Sequence, residues 1–214
     1  MRLKTEEHRP DEIADVAELE TGEAAQRAPT VILFAETRGF TRMSEMLAPE
    51  VVLSRVGGFF AMVTQAVERQ GGTVVNVLND TLVATFSGKD DAQRGVLAAQ
   101  ETQADFVTLG ESWRRDYGIV AAVAMGLHRG DVVVGHAGGP HPQRPLVIGD
   151  GVSVAERLLH RARAGEFVLS QAMMDTLAAV GFHLDADDLP TMEIPQREPI
   201  RLYGVLLDTR LDFT

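Results

Sequence analysis

The sequence contains no cysteine. Disulfides and thiol nucleophiles are therefore excluded, and any metal site falls to histidine and carboxylate. Positive charge is scarce: 20 Lys and Arg stand against 31 Asp and Glu, a formal net charge of -11. Binding a nucleic-acid backbone needs a clustered cationic excess, so no nucleic-acid partner is expected. No unbroken apolar run reaches the roughly eighteen residues that span a bilayer, and the amino end, MRLKTEEHRPDE, has no apolar signal core. No membrane partner is expected either, and the expected location is cytoplasmic. Histidine is sparse, and His128, His136 and His141 are too loosely grouped to suggest a ligand set.

What remains is a soluble, globular composition. With 214 residues, 45% of them hydrophobic, the chain can bury a proper core as one domain. Residues 1–28 are acidic and weakly apolar, with Ile13, Val16 and Leu19 offering at most a short amphipathic helix, so they read as a leader or linker that Pro29 closes. The expected domain covers 29–208 and a short tail 209–214. No internal repeat or second domain is visible.

Hydrophobic periodicity supplies the elements. TVILFAE, 30–36, reads as a buried strand, and TRGF turns the chain. From Pro49 to about Gln70, apolar residues recur at helical spacing and Gly71-Gly72 is a stop. Inside that helix Gly57-Gly58 costs roughly 1 kcal/mol per glycine relative to Ala, so the pair predicts either very close packing or a kink. TVVNVL and TLVATF, within 73–87, read as a hairpin, followed by a long helix from about Asp90 to Arg115. IVAAVAMGLH and DVVVGHA read as two strands joined at Arg129-Gly130. The Pro-rich stretch 139–145 predicts an irregular arm, PLVI a strand, and GDGVSVAERLLHRAR a helix. FVLS, a helix from Gln171 and strands near 181–185 and 199–207 complete the chain. Many strands joined as hairpins favour an α+β fold with a mostly antiparallel sheet flanked by helices.

That order has a chemical consequence. When two helices cross one face and return the chain as a hairpin, strand one and the hairpin become neighbours. Glu36, at the end of strand one, then lies beside Asp80 at the hairpin tip. Asn79-Asp80 also serves as plain turn chemistry, and that reading stays open. Two carboxylates converging at a strand edge can hold Mg²⁺, with substrate phosphates completing its octahedron.

LFAETRGFT, QGGTVVNVLNDTLVATF, MGLHRGDVVVGHAGG and VIGDGVSVAERLL occur in register, together with DAQRGVLAAQ and PIRLYGVL. This series resembles the class III nucleotidyl cyclase homology domain over about residues 29–207. The resemblance implies a ferredoxin-like core working as a head-to-tail homodimer, or as a heterodimer with another cyclase-type chain. It also implies metal-assisted conversion of a nucleoside triphosphate, with Mg²⁺ or Mn²⁺, to a 3′,5′-cyclic nucleotide and pyrophosphate.

Carried over position by position, the resemblance puts the two metal carboxylates at Glu36 and Asp80, with Glu where the family has Asp. The purine-selecting Lys falls on Asn76 and its usual partner on Leu146, which offers a base no hydrogen bond. The transition-state Asn falls on Ser153, which is shorter, and the transition-state Arg is kept as Arg157, one helical turn away. Arg38, Gly39, Phe40 and Thr41 fall where backbone amides at a helix start cradle phosphate. So many departures together imply a degenerate member, a dimerising and nucleotide-binding signalling module with little or no turnover. The alternative is an active, divergent adenylate or guanylate cyclase.

Overall fold

The computed structural model describes residues 26–136, 145–195 and 197–207. Most of the expected leader, the expected tail and the Pro-rich arm up to residue 144 lie outside the described residues. β1 (Gln26–Arg38) is the strand on which the rest is organised. Its successive side chains enter different cores: Val31, Leu33 and Ala35 on one face, Ile32 and Phe34 on the other. A strand covered on both faces needs the continuous apolar run the sequence supplies. β1 is longer than read from sequence, because its first residues, including Pro29, pair with a second long strand.

α1 (Phe40–Met46) and α2 (Pro49–Arg69) carry the chain across one face. α2 buries Val56, Phe59, Val63, Ala66 and Val67 at helical spacing. Close packing within the chain is not the reason for Gly57-Gly58, since a Cβ at either position would meet nothing within 4 Å. Among the described residues α2 is the one helix apolar enough by length and composition to cross a membrane, with mean hydropathy 1.2.

β2 (Thr73–Leu78) and β3 (Thr81–Ser87) form the expected hairpin, and β3 pairs with β1. α3 (Asp91–Tyr117) lies on the same face as α2, where Phe106 meets Phe59 and Trp113 edge to face at 6.0 and 5.7 Å between ring centres.

β4 (Ala122–His136) is one unbroken strand, not two joined at Arg129-Gly130. An Arg-Gly pair is a fair turn signal, but β1 pairs through it, with Val31 opposite Arg129 and Thr30 opposite Gly130. Arg129 is held there by the buried carboxylate of Asp91, its Nε lying 3.0 Å from Oδ2.

β5 (Pro145–Ile148) hydrogen-bonds to the end of β4, and α4 (Asp150–Arg161) covers the face opposite α2. β6 (Glu166–Ser170), α5 (Gln171–Ala179), β7 (Asp187–Met192) and β8 (Ile200–Leu206) follow. The strand expected at 181–185 lies instead at Asp187–Met192. Gly181, at φ 70°, ends α5 in the left-handed region, and Phe182 and Leu184 fill the core from a loop. Pro190 sits in β7 without harm, because β7 is the last strand of the sheet and needs no second partner. The order is β2-β3-β1-β4-β6-β8-β7, and the described pairings are antiparallel except that of β4 with β6. This is the α+β, mostly antiparallel sheet expected.

Candidate active site

The two carboxylates named from the sequence meet at one sheet edge. Asn79 turns the hairpin with φ 54°, a left-handed conformation that asparagine tolerates. Asp80 follows, and Thr81 beyond it sits opposite Glu36 in the β1–β3 register. Both carboxylates are partly buried. Burial pushes the Glu36 carboxyl above its ordinary range, the Arg38 guanidinium pulls it back, the Asp80 charge raises it and His160 lowers it. Burial likewise raises Asp80, opposed by its backbone hydrogen bond and by Arg38.

Partly dehydrated, like-charged carboxylates with hard oxygen atoms fit Mg²⁺ or Mn²⁺. No group of three or more His, Cys, Asp or Glu side chains that could hold a metal ion occurs among the described residues.

Arg38 does something its motif did not announce. Its Nη1 donates to Oε1 of Glu36, and its Nη2 donates to the carbonyl oxygens of Leu159 at 2.9 Å and Ala162 at 3.1 Å. The signal was present: residues two apart on a strand share a face, so Glu36 and Arg38 must stand together. His160 was also missed, because its nearness to Glu36 depends on how α4 is seated.

Gly39 is required where the chain leaves β1. Its φ is 104°, and a Cβ there would sit 2.7 Å from the Val120 carbonyl oxygen. Phe40 packs against the core and Thr41 is exposed. α1 has only 7 residues, so the phosphate cradle expected at Arg38–Thr41 has little helix dipole behind it.

The remaining expected residues stand apart from this edge. Asn76 follows a bulge in β2 and is exposed, its Oδ1 accepting from the Val77 N–H at 2.9 Å. Leu146 is exposed on β5 opposite Gly135, and β5 approaches β2. Ser153 and Arg157 are exposed on α4, whose other side buries Val154, Ala155, Leu158 and Leu159. Neither is among the groups that shift Glu36 or Asp80. One half of the expected site is thus assembled within the chain, and the other half faces outward.

The adenylyl cyclase CyaB from P. aeruginosa superposes with a TM-score of 0.77 at 23% identity, over 89% of this chain and 99% of that one. The guanylyl cyclase Cya2 superposes with a TM-score of 0.76 at 26% identity, over 84% and 92%. The sheet and its flanking helices therefore have the class III nucleotide cyclase fold. The chain belongs to the family of the adenylate and guanylate cyclase catalytic domain, whose model matches residues 23–206. An adenylate cyclase of Anabaena cylindrica is 30% identical over 146 residues, which are 67% of this chain and 29% of that protein. The chain spans less than a third of the length of that relative.

Proposed function

We propose that this chain is a nucleotide-binding cyclase domain with weak or absent turnover, in which Glu36 and Asp80 hold the divalent cation that accompanies a nucleoside triphosphate. The observation that carries this reading is the register that sets Glu36 opposite Thr81 and so beside Asp80. When bound, Mg²⁺ or Mn²⁺ lowers the cost of a 3′-alkoxide and stabilises the departing pyrophosphate.

The chain's own residues argue for slow chemistry. Glu36 is longer than the family's Asp, and Mg²⁺ demands near-ideal geometry. Asn76 offers a neutral amide where the family has a charged ammonium, and Leu146 has no polar group to give. Ser153 is shorter than the family's Asn. Losing one transition-state contact commonly costs about 10² to 10³ in rate, so several losses together leave binding without useful catalysis.

The outward-facing residues support a dimer. Ser153 and Arg157, one turn apart on the exposed side of α4, are arranged to meet phosphates held by a second chain, either another copy or a different cyclase-type chain.

An intact acidic edge also favours a second reading, an active cyclase of relaxed base choice. Purified protein given ATP or GTP, with Mn²⁺ and then Mg²⁺, decides between them by the yield of cyclic nucleotide. The expected result is product at or near background. Cyclic product that disappears in Asp80→Ala would overturn weak turnover and establish the second reading.

A further inference from the structure

Arg38 is the charged group at the acidic edge for which the proposed function has no use. Its guanidinium is held by three acceptors: Oε1 of Glu36 and the carbonyl oxygens of Leu159, at 2.9 Å, and Ala162, at 3.1 Å. Those carbonyls close the C-terminal end of α4, where backbone dipoles favour a cation. The side chains of Arg38 and Glu36 are only 31% and 18% exposed. Charges so shielded act on one another more strongly than surface charges do.

A divalent ion that ligates Glu36 through its other oxygen must therefore tolerate a positive neighbour on the same carboxylate. Glu36 and Asp80 together carry two negative charges and Arg38 returns one, so a free divalent ion would leave the edge positive. A triphosphate reverses that balance, and it offers a guanidinium a bidentate acceptor at least as good as the carboxylate it leaves.

Resting on the reading that Glu36 and Asp80 hold the cation, we propose that Arg38 is a resident counter-cation that keeps this edge from loading a free divalent ion, so that the ion enters only in company with nucleotide phosphates. Arg38 thereby sets the order of loading.

The test uses the full chain and Mn²⁺ alone, with free Mn²⁺ followed by its electron paramagnetic resonance signal. Arg38→Gln keeps an amide donor for the α4 carbonyls but removes the charge, Arg38→Met removes both, and Arg38→Lys keeps the charge. Gln and Met are expected to bind Mn²⁺ roughly tenfold tighter than the unaltered chain, with Lys close to it. A merely structural arginine would give the opposite ranking, with Gln and Met no tighter than the parent. That outcome overturns the proposal, provided Asp80→Asn added to Arg38→Gln still abolishes binding. If the added Asp80→Asn changes nothing, or if Arg38→Gln binds no Mn²⁺, the cation site itself fails and the proposal falls with it. Should Arg38→Met not fold, Gln against Lys carries the same comparison.

Discussion

α2 and α4 cover opposite faces of one sheet, and the glycines associated with them mark opposite situations. Under α4, Gly126 of β4 has no room for a side chain: a Cβ would sit 2.3 Å from the Leu159 nitrogen and 2.4 Å from the Ala155 oxygen, both backbone atoms. On α2, Gly57 and Gly58 face open space, and Leu53 beside them is 76% exposed. The same residue type marks a close approach in one helix pairing and a bare surface in the other. The close approach also reaches the acidic edge, since seating α4 so near the sheet brings the Leu159 and Ala162 carbonyls to Arg38, which also bonds Glu36.

The largest expected effect lies under α4. Gly126→Ala forces backbone apart from backbone and should cost about 3 kcal/mol in urea unfolding, the upper end of overpacking costs. A loss below about 1 kcal/mol would mean that α4 is not seated so closely.

A smaller effect concerns His128, which sits at the same contact with its Nδ1 2.8 Å from the Ser170 hydroxyl and its ring against Gly130 and Gly151. Burial pushes its pKa down to about 4, with Asp150 raising it and Arg197 lowering it. Between about 4 and the unfolded value near 6.5 the unfolded chain binds more protons than the folded one, so stability falls as pH falls through that window. The expected loss is about 2 kcal/mol, discounted because the ring is only partly buried. His128→Gln should flatten the dependence, and an unchanged slope would reassign it to other groups.

The smallest effect belongs to α2. Gly57→Ala and Gly58→Ala should each stabilise an isolated chain by about 0.5 to 1 kcal/mol, because nothing in the chain obstructs a methyl group and helical glycine is costly. A loss of stability, concentration-dependent and confined to these variants, would show that a second chain packs on that surface.

The same contrast explains what was legible in the sequence. β1, α2, the hairpin and α3 are strongly periodic, and the topology they imply sets Glu36 near Asp80. Arg129-Gly130 reads as a turn because local turn chemistry carries no trace of β1, the partner strand about a hundred residues away in sequence that keeps β4 continuous. The strand at 181–185 was misplaced because Phe182 and Leu184 are apolar for the core's sake, while the true edge strand, Asp187–Met192, is largely polar and contains a proline. The pairing of Arg38 with Glu36 is legible in their spacing of two along β1, whereas the nearness of His160 depends on the seating of α4, which no local pattern encodes. Asn76, Leu146, Ser153 and Arg157 were located on their elements, and their exposure is a property of tertiary packing that sequence alone does not give.

The most direct measurement is thermal unfolding of the full chain with a non-hydrolysable triphosphate analogue, with and without Mn²⁺, in the unaltered protein and in Asp80→Ala. Binding to the folded state at about a hundred times Kd stabilises by about 2.7 kcal/mol. The expected result is a rise in Tm that needs both analogue and Mn²⁺ and is absent in Asp80→Ala. A rise that survives the substitution, or that ignores Mn²⁺, would contradict a nucleotide site built on Glu36 and Asp80.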